Sequence, residues 1–220
     1  MPNTAIGIFG AGGHGRETLS IFQEKEWEFY NPKLDTSEIY FVESSPQRSH
    51  LNGIRILSEA DFFKLKCDNK YLTIALGDSL ARAKIVERFL NTEIEYISVI
   101  STKAHIDQRA IIGSGAIVSP YTFISTDVNI GRFFQANVRV SVSHDCTIGD
   151  FVTLSPGVIC NGNVEIGNNV FIGSGAIIRN GNTLEKIKIG DNCVIGMGAI
   201  VTKSVASNST VMGNPARLIV

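Results

Sequence analysis

From Ile100 to about Val205 an aliphatic or small residue recurs at every sixth position. The series runs Ile100, Ile106, Ile112, Val118, Ile124, Ile130, Ala136, Val142, Ile148, Leu154, Cys160, Ile166, Ile172, Ile178. A second, smaller set follows four residues after each, including Ala104, Ala110, Ala116, Val128, Val140, Cys146, Val158 and Ala176. Gly directly follows the aliphatic residue at Ile112-Gly113, Ile130-Gly131, Ile148-Gly149, Ile166-Gly167 and Ile172-Gly173. Neither a helix nor a flat strand has a period of six. A short strand followed by a tight turn does, and repetition at a fixed short period marks a solenoid. Three such units make a triangular coil of about 18 residues whose stacked turns bury a central column of side chains. The register slips after Ile178 and resumes at Ile189 and Ile195, which leaves Asn182 to Lys186 as an insertion.

The pattern before residue 99 is different. Ala5-Ile6-Gly7-Ile8-Phe9 predicts a short buried strand, and Arg16 to Glu26 a helix with Leu19 and Phe22 on one face. Further strands are expected at Ile39–Val42, Ile54–Leu57 and Tyr71–Leu76, with helices at Ser58–Leu65 and Ser79–Leu90. Alternating strands and helices predict a small parallel α/β sheet. The chain therefore divides into an α/β domain over 1–98 and a solenoid over 99–220. No Pro- or Ser-rich linker separates them, so the halves should pack tightly.

Composition narrows the partners. The formal charge is −1, from 20 basic and 21 acidic residues, with no block of Lys or Arg. A nucleic-acid partner would require concentrated positive charge. No apolar run approaches the ~20 residues of a membrane span, and the first residues do not read as a signal segment. The four cysteines have no CxxC spacing, and Cys146, Cys160 and Cys193 fall in the inward register. They read as small core residues of a cytoplasmic protein.

Two loops of the α/β half carry candidate chemistry. Gly10-x-Gly12-x-x-Gly15 follows a strand and opens a helix, the context in which such glycines bring backbone N–H groups to a phosphate. Half a Rossmann unit suits a mononucleotide, whose base or ribose could meet Glu43-Ser44 at the end of the second strand. A glycine turn without a ligand is the bland alternative. His14 is either a helix-start residue or a ligand contact. Gly77-Asp78-Ser79 lies at the carboxyl end of another strand, where open α/β sheets bind ligands. Arg82 could neutralise a phosphate there or be a solvated helix residue.

In the solenoid the informative residue is His144, in a turn beside Asp145, where it projects from an edge of the prism rather than into the column. A free imidazole, with a pKa near ~6.5, accepts protons at cellular pH, and a neighbouring carboxylate orients the ring. Acyl transfer from a thioester needs such a base for the attacking amine or hydroxyl. An ordinary exposed histidine is the rival reading. The four histidines, 14, 50, 105 and 144, have no paired spacing, so a metal site is not expected.

A Gly-rich α/β domain, a hexapeptide solenoid with His144-Asp145 in a turn, and a closing Gly213-Asn214-Pro215-Ala216-Arg217 together resemble one family across nearly the whole chain. That family is the sialic-acid and nucleotide-sugar acyltransferases, including bacterial N-acetyltransferases of UDP- or dTDP-linked 4-amino-4,6-dideoxy sugars. The resemblance implies a left-handed parallel β-helix, a homotrimer, acetyl-CoA along the helix groove and nucleotide sugar on the N-terminal domain, without a metal. It implies His144 as general base with Asp145 as its acidic neighbour. It also places substrate at Gly12, Gly13, His14, Glu43, Ser44, Gly77 and Asp78, and coenzyme A near Ser174 and Met197. Several members carry a second histidine nine residues after the base, near the thioester. Thr153 stands there in this chain and is expected to donate a hydrogen bond to the thioester carbonyl. The implied activity is N-acetylation of a nucleotide-linked amino sugar. O-acetylation of sialic acid or another sugar hydroxyl, and a non-catalytic nucleotide-sugar binding protein, are the alternatives.

Overall fold

The computed structural model describes residues 4–24 and 38–219. In the first half β1 (Thr4–Phe9) leads through the glycine loop into α1 (Gly13–Phe22). There follow β2 (Ile39–Glu43), β3 (His50–Leu51), β4 (Ile54–Ser58), α2 (Glu59–Phe63), β5 (Asn69–Ile74), α3 (Ser79–Arg88) and β6 (Glu95–Tyr96). The sheet order is β3-β4-β2-β1-β5-β6, parallel throughout except for the β3–β4 hairpin. Strand β1 is wholly buried because both sheet faces are covered, which explains its continuous apolar run. The first helix begins three residues earlier than expected. Gly15 must be glycine there, since a Cβ would stand 1.9 Å from the Gly10 carbonyl oxygen. Its expected end at Glu26 lies outside the described residues. Ala75 and Leu76, expected at the end of the strand Tyr71–Leu76, fall just beyond β5 in the loop.

The second half is a left-handed parallel β-helix with three faces. The first face carries Val99–Ile100, Ile117–Val118, Gln135–Ala136, Thr153–Leu154, Phe171–Ile172 and Val194–Ile195; the second begins at His105–Ile106 and the third at Ile111–Ile112. Each two-residue strand pairs in parallel with the one 18 residues later, as Ile117 with Gln135. Across the insertion the offset becomes 23, as Ile172 with Ile195, and in the last coil it is 16, as Ile195 with Val211, so the extra residues are looped out and the stack continues. The two sequence series form one buried column, including Val128, Val140, Cys146, Val158 and Cys160. All four cysteines are free thiols, and Cys146, Cys160 and Cys193 are buried. The Ile-Gly pairs have a steric cause: a Cβ on Gly131 would lie 2.7 Å from the Gly149 carbonyl carbon one coil above.

The α/β half sits on the first face. Ile117, Phe133, Gln135 and Thr153 are buried beneath it, and Phe133 stacks on Phe151 at a 5.0 Å centroid distance while meeting Tyr96 edge-on. Glu24 closes the other end of the seam, accepting from the Ser101 hydroxyl at 2.6 Å and the Thr102 amide at 2.7 Å.

Candidate active site

His144 occupies the corner between the second and third faces. Its Nδ1 lies 2.7 Å from Asp145 Oδ2, and both side chains are about half exposed, at 55% and 53%. Asp145 has φ 58°, the left-handed corner conformation that aspartate tolerates better than most residues. With Nδ1–H donated to the carboxylate, the neutral ring keeps its lone pair on Nε2. One coil further, the same corner is Gly162. A Cβ at Gly162 would fall 2.7 Å from His144 Cε1, 2.8 Å from Nε2 and 3.1 Å from Nδ1. The Nδ1–Cε1–Nε2 edge of the ring thus uses the space a side chain would take. Gly162 went unremarked in the sequence. Its offset of one coil from His144 was the available signal.

The expected substrate residues gather at the carboxyl ends of β1, β2 and β5, next to the point where strand order reverses. Helix α1 starts with no side-chain cap and no acidic residue in its first turn. The positions a Cβ would take on Gly12 and Gly13 are open, so nothing crowds the loop at the start of the helix. His14 is largely buried beside Gln135 and Arg82, with Nδ1 3.6 Å from Glu17 and, among the described residues, no hydrogen-bond partner for Nε2. Burial lowers its pKa, Arg82 adds to this, and Glu17 opposes it. Asp78 caps α3 by accepting from the Ala81 amide at 2.8 Å. With Ser79 and Leu80 it faces Asn169, Phe171, Asn192 and Val194 across a cleft of 370 Å³.

At the end of β2, Ser44 is engaged rather than free. Its hydroxyl donates to Glu59 at 2.5 Å and accepts from Arg88, which pairs with Glu59 at 2.6 Å. Glu43 is half-buried beside it. Arg48, overlooked in the sequence, donates to the Ala11 carbonyl at 3.3 Å, and Arg16 donates to the Gly12 carbonyl at 3.4 Å, so both cations reach the glycine loop.

Two expectations are corrected. Arg82 is neither a phosphate ligand nor a solvated helix residue: it is fully buried in the seam between the halves. Thr153 does not face a thioester either. It is 1% exposed, and its hydroxyl donates to the Gly77 carbonyl at 2.9 Å while accepting from Arg82 at 3.0 Å. The residue lies on the face that the α/β domain covers, a placement its hexad register alone could not reveal.

Ser174 and Met197 are exposed on a third location, the corner between the first and second faces, with Met197 81% exposed. The second face between that corner and His144 exposes Phe123 and Ile159 beside the polar His105 and Ser141, with Tyr121 and Val138 at its edge. Within one chain, His144 and the substrate loops are on different sides of the prism. Among the described residues no group of His, Cys, Asp and Glu converges to hold a metal, and no helix is long and apolar enough to cross a membrane.

Residues 5–89 match the PglD N-terminal domain family. Residues 145–180 match the bacterial transferase hexapeptide family and 163–203 the hexapeptide repeat of succinyl-transferase. GDP-perosamine N-acetyltransferase of Escherichia coli O157:H7 is 42% identical over 96% of this chain and 94% of its own. The chain belongs to the hexapeptide-repeat nucleotide-sugar acyltransferases. This family member is also 38% identical to WeeI from Acinetobacter baumannii AYE, with TM-score 0.91 over 98% of this chain and all of that one. The acetyltransferase domain of PglB from Neisseria gonorrhoeae FA1090, solved with acetyl coenzyme A, gives TM-score 0.84 at 26% identity over the full length of both chains.

Proposed function

We propose that this acyltransferase moves an acetyl group from acetyl-CoA to the amine of a nucleotide-linked 4-amino-4,6-dideoxy sugar, with His144 as general base. The observation that carries this reading is the accessible imidazole held by Asp145 at 2.7 Å on a prism corner. The full-length relative acts, by its name, on GDP-perosamine, so a GDP carrier is the first to test, ahead of UDP and dTDP. The amine attacks the thioester carbonyl while His144 Nε2 takes its proton, and coenzyme A leaves as the thiol. Asp145 holds the ring and stabilises the imidazolium as it forms.

Gly12, Gly13 and His14 would hold the phosphates, Glu43 and Ser44 the nucleoside, and Gly77 with Asp78 the sugar side. Coenzyme A would lie along the second face, touching Ser174 and Met197 mostly through backbone. The same corner that carries His144 leads, coil by coil, to a 540 Å³ cavity lined by Lys203 and Arg217, whose charge suits its phosphates.

A second copy completes this site. The exposed Phe123 and Ile159 of the second face would be covered by a neighbouring prism, as in a cyclic trimer, and the sugar bound to one copy would meet His144 of the next. Light scattering at micromolar concentration should give three times the chain mass, and a fully active monomer would sink the assembly. Mixing inactive His144→Ala and Gly12→Trp proteins under exchange should restore activity, since each supplies what the other lacks. The activity itself is tested by thiol release with acetyl-CoA and a panel of GDP-, UDP- and dTDP-amino sugars. Turnover with hydroxyl acceptors alone would replace N- by O-acetylation, and no turnover on any acceptor would remove the enzymatic reading.

A further inference from the structure

The Arg82 guanidinium uses all of its donor capacity across the seam. Nε donates to the Phe133 carbonyl at 3.0 Å. Nη1 donates to the Leu76 carbonyl at 2.5 Å and to Gln135 Oε1 at 3.1 Å. Nη2 donates to the Phe151 carbonyl at 2.9 Å and to Thr153 Oγ1 at 3.0 Å. Every acceptor is neutral, and Asp78 is the carboxylate that supports the charge from a distance. Burial pulls the Arg82 pKa down to about 9, so the group remains cationic at neutral pH.

Its partners extend the network on both sides. Gln135 donates to the Ile74 carbonyl at 2.7 Å, Thr153 to the Gly77 carbonyl at 2.9 Å, and Ser79 contacts Thr153 and the Val170 carbonyl at 3.4 Å each. The carbonyls of Leu76 and Gly77, the residues leading into Asp78, are thereby tied to two corner turns of the β-helix, at Phe133 and Phe151.

A buried cation is a costly way to join two surfaces, since apolar residues of similar volume often serve stability as well. What the planar fork adds is direction, which a lysine point charge cannot supply. Building on the nucleotide-sugar reading above, we propose that Arg82 is a positioning residue for the acceptor. Through Leu76 and Thr153 it sets the Gly77–Asp78 loop in one register against the β-helix, so that the bound sugar presents its amine at a fixed place relative to the acetyl donor.

Steady-state kinetics of the intact enzyme with acetyl-CoA and its best nucleotide amino sugar test this, using Arg82→Lys, Arg82→Met and the shape-preserving Thr153→Val. Arg82→Met should lower kcat by at least tenfold and raise KM for the nucleotide sugar at least fivefold, with KM for acetyl-CoA unchanged. Arg82→Lys should not restore kcat, because it returns the charge without the fork. A purely structural loss would reduce the folded fraction, scaling kcat with both KM values fixed, and that outcome overturns the proposal. So does wild-type kinetics in a folded Arg82→Met protein. Should the Arg82 variants not fold, Thr153→Val decides: a rise of at least threefold in the nucleotide-sugar KM alone supports positioning, while unchanged or equally raised KM values overturn it. Absence of wild-type turnover on every nucleotide amino sugar would instead sink the functional reading on which the proposal rests.

Discussion

The corner that carries His144 and the seam that carries Arg82 hold their basic side chains in opposite ways. His144 is half in water, touches one carboxylate, and rests against the empty side of Gly162. Arg82 is sealed from water and donates to three main-chain carbonyls and two side chains drawn from both domains. The first arrangement leaves a nitrogen lone pair available to a reacting partner. The second leaves nothing available and instead fixes the backbone. A base that must exchange protons has to remain accessible, whereas a cation that must hold geometry is most effective where no water competes for its donors.

The largest effect should come from the corner. His144→Ala is expected to lower kcat by roughly 10²–10⁴-fold with little change in acetyl-CoA affinity. Asp145→Asn should cost less, because the imidazole remains. Retention of most turnover in His144→Ala, with chemistry shown to be rate-limiting, would take the corner out of the mechanism and leave the comparison without its first half.

Next in size is the seat of the ring. Gly162→Ala should reduce kcat by roughly 10–100-fold, since a displacement of about 1 Å in a catalytic group can cost that much. The same substitution in a His144→Ala background should change nothing further. A full additional loss in that background would show that Gly162 acts on something other than the imidazole.

The glycine loop gives a smaller and more selective effect. Gly12→Val should weaken nucleotide-sugar binding by on the order of tenfold, about 1.4 kcal/mol, by keeping phosphates from the helix N-terminus. The space at Gly12 is open, so the fold should tolerate the side chain. Calorimetry showing acetyl-CoA weakened to the same degree would contradict separate sites.

The smallest effect belongs to His14 and appears in stability. Its folded pKa is depressed below 6.5, chiefly by burial. As pH falls through that value the unfolded chain binds the proton first, so the folded state loses stability until pH passes the folded pKa. Denaturation midpoints followed by circular dichroism should therefore fall as pH drops through the unfolded value of 6.5, and His14→Gln should flatten that slope. An unchanged slope would mean that the imidazole is not desolvated in the folded protein.

The β-helix was legible because its signal is local and repeated. Each hexad states which residue faces inward, and stacking neighbours share the same rule, so the position of His144 on an edge follows from register. The α/β strands were legible for similar reasons, as continuous apolar runs. Leu76 lies beyond the strand, where its carbonyl is held by Arg82 and that of Gly77 by Thr153, contacts that the apolar run does not encode. Ser44 was read as a nucleoside contact, and it is exposed at the end of β2; what the sequence did not reveal is that Glu59 and Arg88, distant in the chain, hold its hydroxyl.

The sequence by itself determined the coil period, the inward column, the looped-out insertion and the residue types available for proton transfer and phosphate binding. Each of these depends on neighbours within one coil or one βα turn. Only the tertiary structure decided that the first face is a domain interface. An outward-facing Thr153 and a helix-start Arg82 have the same local pattern whether they meet water, a ligand or another domain. Their fate is settled by contacts between residues that lie 71 apart in the chain, and no short-range periodicity encodes which surface will arrive there.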